Sequence, residues 1–327
     1  MRHRRNVLAG GLIAAMVVVV GAVSSAAAVD GEGFQNGGGA DVAELIAAAA
    51  PDAPLAEPEV SRGVLVAESR DEAISVELPV EGGGLSLSDS STGIEVGVGL
   101  PEETSTGRPE VADDGTVVYR ADPGSGVDVA AQVVEDGSVR IQTVIDSASA
   151  PHEFTYPLDL PEGAVLSMTA DGGVVATAPG GDFLLGIRPP WAKDAEGRDV
   201  PTSYRLDGDS LVQSVASPDS AQYPMVADPW LGIALIDKVS KAWISGKGYR
   251  YSVFPTWWGR GGAGALARWA AWSEAKSKGG IPQTATLENQ FLCHYDYRPL
   301  TTFKSSWNLE AYARDKGYLS FMASQCN

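Results

Sequence analysis

The sequence changes character at Asp228, and any fold must accommodate that change. Residues 29–228 carry nine Lys and Arg against 36 Asp and Glu, whereas residues 229–327 carry twelve against six. The last 99 residues also hold 17 of the 25 aromatic side chains, seven of the eight Trp and both Cys. The net charge of −18 is therefore an average over two modules of opposite sign. A chain that is 44% hydrophobic and 20% charged reads as globular, with too few long apolar runs for a multi-span membrane protein. The acidic total argues against a specific nucleic-acid partner, which needs clustered Lys and Arg.

The amino terminus has the form of a Sec leader. Met1 to Arg5 carries three Arg, Val7 to Val23 is almost wholly apolar, and Ala26-Ala27-Ala28 supplies small residues before Val29. Cleavage is predicted after Ala28, giving a secreted chain from Val29 onward; a retained anchor is the competing reading. Residues 29–61, with Gly37-Gly38-Gly39 and prolines 51, 54 and 58, read as a low-complexity spacer around one helix, Asp41 to Ala50, with Asp41 as its cap.

From residue 62 to 228 short β-branched runs alternate with turn signals. Val64–Val66, Ile74–Leu78, Ile94–Val98 and Thr116–Tyr119 are predicted strands. Asp136-Gly137 between Val127–Val134 and Val139–Ile145 is the strongest hairpin signal in the chain. The expected fold class is multi-domain: an all-β sandwich or barrel-like region, then a small disulfide-closed α+β domain at 229–327.

In that last module, Asp228-Pro229 predicts a helix start, with Ile233, Ile236, Val239 and Trp243 at helical spacing and Gly246 as its stop. A strand at Tyr249–Val253, helices near 263–278, 286–295 and 318–324, and a Gly-rich turn at 259–262 complete the reading. Two Cys in an exported chain predict one disulfide, Cys293 to Cys326.

The runs Tyr249 to Arg260 and Asn289 to His294, with Ser306-Trp-Asn-Leu-Glu310 and the closing Cys326-Asn327, resemble a small domain of unknown function. That family ends exported actinobacterial proteins and some fungal ones, and the resemblance covers residues about 249–327. Pro201–Tyr204 and Tyr223–Trp230 look like the β-rich segment that often precedes such domains. The chain departs from the family after Glu310, showing Tyr312-Ala-Arg-Asp315 where Trp-Arg-Pro-Asp is usual. The resemblance implies architecture and export, and no reaction.

Candidate chemistry is sparse. His294 with Asp296 or Glu310 is the one general-base arrangement available, against a structural imidazole beside the disulfide. No phosphate loop, dinucleotide fingerprint, zincin helix or Ser elbow is present, so no cofactor and no metal is expected. Trp257-Trp258-Gly-Arg260, with Arg268, Trp269, Trp272 and Lys276, forms a basic aromatic cluster; Trp307 and Asn308 are further ligand-binding candidates, each also explicable as core or turn. The leading expectation is a non-enzymatic binding protein of the cell envelope or extracellular space, meeting a wall polymer, an anionic lipid surface or an envelope protein. The alternative is an exported effector, toxin or envelope-acting hydrolase working through His294 and Glu310.

Overall fold

Alternating apolar residues in the β module build two large sheets. The computed structural model describes residues 35–36, 39–61, 63–80, 83–104, 106–122, 124–265, 267–297 and 304–326. The predicted leader, 1–28, lies outside them. An 11-stranded and an 8-stranded sheet share one apolar core, to which Val76, Leu87, Val129, Ile141, Phe154 and Leu211 contribute. This is the sandwich the pattern predicts, and the Asp136-Gly137 hairpin pairs Val127–Val133 with Val139–Ile145 in register, Val139 opposite Val133.

Strand Val139–Ile145 is buried along its whole length, because its outer face is covered as well. One cover is α1 (Ala40–Ala49), whose Val42, Ala43 and Ile46 are buried and which packs against Val118, Ala130 and Val144. The segment read as a spacer is thus part of the fold from residue 39 onward. Gly39, not Asp41, occupies the N-cap position, at φ 72°; Asp41 instead pairs with Arg120.

The other cover is the C-terminal module, and here the predicted helix from Asp228 is overturned. Residues Trp230–Gly232 form a strand of the 11-stranded sheet, and Ile236–Ile244 pairs with Gly248–Pro255 in a long hairpin. Ile and Val at the helical spacing also suit a strand, and the Gly246 turn lets the chain reverse. Asp228 caps nothing: it is fully buried, with Oδ1 accepting from Trp191 N at 2.9 Å and Gln213 Nε2 at 3.2 Å. The sandwich therefore runs on to about Ala234.

Trp307–Glu310 adds a third strand to the hairpin, and α2 (Arg268–Gly279) and α3 (Ala285–Asp296) pack against this sheet. Gly280, at φ 55°, closes α2, and Thr284 Oγ1 accepts from Leu287 N to cap α3. The short α4 (Tyr318–Ala323) lies on α3, and Cys326 bonds Cys293 across a Cα–Cα distance of 5.5 Å. With a sequence separation of 33, loop-closure entropy puts the disulfide at roughly 3–4 kcal/mol. Melting the Cys293→Ser/Cys326→Ser variant should show that loss; an unchanged melting temperature would contradict it.

Candidate functional site

The predicted general base does not assemble. His294 is 2% exposed, lies parallel to the Trp307 ring (3°), and neither of its ring nitrogens has a hydrogen-bond partner among the described residues. Burial, with the nearby charge of Lys304, holds its imidazole down to about 4, so it is neutral at neutral pH. Asp296 is committed elsewhere: its Oδ2 accepts from Arg268 Nη1 at 3.2 Å and from the Tyr318 hydroxyl at 2.8 Å. Glu310 lies on the sheet strand, its main chain clamped by Gln290, whose Oε1 accepts from Glu310 N and whose Nε2 donates to Glu310 O. Nothing joins His294 to either acid in a hydrogen bond or ion pair among the described residues.

The aromatic candidates divide. Trp307 is core, edge-on to Phe291 and Tyr295. Asn308 is exposed, with Oδ1 accepting from Ser252 Oγ at 2.7 Å. Arg260 donates to the carbonyls of Lys304 and Ser305, and Arg268 to Asp296, so both guanidinium groups tie local segments together.

Trp257 and Trp258 face inward to an internal cation. Sheet register sets Gln132 opposite Arg140, Arg140 opposite Trp230, and Arg188 N donates to Trp230 O, making one row across four strands. Arg188 lies 3.4 Å from the Trp230 ring centre, 5.2 Å from that of Trp257 and 5.3 Å from that of Trp258; Arg140 lies 4.3 Å from Trp230. Beside this row, Gly186 and Gly232 pair across neighbouring strands, and the Trp258 indole occupies the bald patch they leave. A Cβ at either glycine would overlap the ring. The cation–π chemistry predicted for an external ligand is thus used to join the modules.

Of the predicted cluster Trp269 remains exposed, with Arg268 5.2 Å from its ring centre, and a second exposed aromatic and basic face, which pairs two rings, lies on the hairpin. Trp243 is 64% exposed and Tyr249 44%, and their rings meet edge to face at 4.9 Å. Lys241 Nζ lies 4.2 Å from the Tyr249 ring centre and Lys247 Nζ 5.7 Å from that of Tyr312. Register explains the exposure. Val239, Lys241 and Trp243 share one face, opposite Val253, Tyr251 and Tyr249, but α2 ends at Gly279 against Val239, so Lys241, Trp243 and Tyr249 extend past its cover while Tyr251 stays buried. Residues 238–250 hold Lys238, Lys241, Lys247 and Arg250 and no carboxylate. The helical reading of 233–243 hid this face; the alternation Lys241, Trp243 and Tyr249, Tyr251 around Gly246 was its signal.

Residues 238–327 match the family described as "Protein of unknown function (DUF2599)". The match begins inside the hairpin and takes in both cysteines. No curated protein matches the chain. Among solved structures, a mutant glycoside hydrolase family 81 enzyme from Clostridium thermocellum aligns with a TM-score of 0.29 at 8% identity, over 63% of this chain and 31% of that one. A likeness of that size carries no argument about activity.

Proposed function

We propose that this is an exported binding protein without catalytic chemistry of its own, attaching through its C-terminal domain to an anionic lipid surface of the cell envelope. The observation that carries the reading is the hairpin face: an exposed Trp–Tyr pair with Lys241 against Tyr249, Lys247 exposed in the turn beyond it against Tyr312, and no acid from 238 to 250. Indole and phenol rings favour the headgroup boundary, and lysines beside them meet lipid phosphates. A sugar-stacking site would want hydrogen-bonding carboxylates or amides around a bare ring. Here Lys241 covers Tyr249 and Trp243 stands edge to face with it. The hydrolase reading loses its support with His294, which is buried, neutral and without a carboxylate partner.

The full mature chain should sediment with phosphatidylglycerol-containing vesicles at low salt and not with phosphatidylcholine alone. Each surface lysine contributes about 1 kcal/mol, so Lys241→Glu/Lys247→Glu should weaken binding by at least about tenfold. Trp243→Ala should weaken it too, and Trp243 emission should shift to the blue on binding in the parent protein. Equal binding to both vesicle types, or to neither, would refute the proposal.

A further inference from the structure

The β module holds a second feature, built on different residues from the hairpin face. A cavity of about 360 Å³ opens between the segment after α1 and the turn at Asp113-Asp114, with Gln132 and Arg140 in its lining. Arg140 is only 3% exposed. Its Nη1 donates to Gln132 Oε1 at 3.3 Å, but Nε and Nη2 have no acceptor among the described residues. Gln132 offers them nothing more, since its Oε1 also accepts from Gln142 Nε2 at 3.1 Å and its own Nε2 donates to Thr116 Oγ1 at 2.8 Å. A buried guanidinium with two unpartnered nitrogens is costly unless something supplies an acceptor.

The opposite charge lines the rim. Asp52, Glu57, Asp113 and Asp114 are all exposed there. Asp114 is occupied, holding the main-chain N–H and the hydroxyl of Thr116. Asp52, Glu57 and Asp113 make no hydrogen bond or ion pair among the described residues. The rim is also fixed in place: Glu135 N donates to Pro54 O and Ala56 N to Val133 O, so the segment is hydrogen-bonded to the sheet beside the cavity.

A simple anion is repelled by this rim and a simple cation by Arg140. A molecule carrying both charges matches both. We propose that the cavity binds a small zwitterion, an amino acid or dipeptide, with its carboxylate on Arg140 and its ammonium on Asp52 and Asp113. The volume suits a ligand of that size and is too small for a folded partner. Because the guanidinium stacks on Trp230, occupancy is also expected to change indole emission.

Calorimetric titration of the mature chain with glycine, alanine and glycylglycine, against acetate and ethylammonium, tests this. At least one zwitterion should bind with a dissociation constant of about 1 mM or tighter, and the two half-molecules about tenfold more weakly. Asp52→Asn/Asp113→Asn, both at exposed positions, should weaken zwitterion binding by about tenfold with an unchanged melting temperature in the absence of ligand. Arg140→Gln should abolish it where that variant folds; the rim variant decides the matter where it does not. Acetate binding as tightly as glycine, no zwitterion binding below about 10 mM, or an unaffected rim variant would each overturn the proposal.

Discussion

Trp258→Ala is expected to destabilise the protein by roughly 3–5 kcal/mol, towards the upper end, and to loosen the C-terminal module from the sandwich. The indole is fully buried, and its flanks rest on Gly186 and Gly232. No side chain stands at those glycines to collapse into the space, so most of the cavity would persist. The same contact is open to the reverse test. Gly232→Val puts a branched side chain where the ring lies, and should cost as much by overpacking. Urea unfolding followed by both far-UV circular dichroism and Trp emission would measure the loss, and in Trp258→Ala the two probes should separate. A loss below about 1 kcal/mol with coincident transitions would sink this account of the interface.

That interface also answers what the opposite charges of the two modules do. One apolar cluster joins Val134, Val175, Phe183 and Trp230 of the sandwich to Trp258, Trp272, Phe291 and Trp307. Against it stands one direct ion pair between described residues of the two modules, Lys278 with Asp71 at 3.4 Å. Attraction between net charges of opposite sign is screened at physiological salt. The modules are held by packing, and the basic hairpin extends clear of the acidic sheets rather than being masked by them.

The sandwich was legible because period-2 alternation and Asp-Gly turns are local signals, and Ile74–Leu78 or the 136–137 hairpin needs nothing from the rest of the chain. Ile233 to Trp243 was misread because four apolar residues fit a helical stripe and a strand equally when one end of the strand is uncovered. The row Gln132, Arg140, Trp230 and Arg188 had no local signature at all. Beyond the Gln132–Arg140 step inside the hairpin, it comes from the register between strands distant in sequence, Arg140 and Trp230 being 90 residues apart and the paired Gly186 and Gly232 46. The candidate cavity depends on that same row. Of the chemistry-bearing residues, the disulfide alone followed from the sequence, from two Cys in a chain with the form of an exported one.

Stability should fall as pH rises from about 4.5 to 7, the reverse of the usual acid denaturation. Burial pushes the Asp228 carboxyl up to about 7, against the donors from the Trp191 main chain and from Gln213, and burial likewise lifts Glu274 to about 7. Glu274 holds the Leu235 and Ile236 N–H groups at 2.9 and 3.1 Å, with Lys278 at 3.8 Å. Between the free carboxyl range and 7 the native state keeps these two protons while the unfolded chain releases them, so stability declines with pH. His294 works the other way: its folded value of about 4 lies below the free 6.5, and it adds stability as pH rises between the two. Two acids outweigh one imidazole. Carboxylates held low, such as Asp194 at about 2, titrate below this window. A protonated Asp228 also makes local sense. Its Oδ2 is without a partner among the described residues, so a proton there displaces no hydrogen bond. Asp228→Asn should remove about one proton from the dependence, a slope change near 1.4 kcal/mol per pH unit, and raise stability at pH 8 by roughly 1–3 kcal/mol. Urea midpoints between pH 4.5 and 8 for both proteins decide it; stability that climbs steadily to pH 7, or an Asn variant with the parent slope, would show that Asp228 is ionised in the native state.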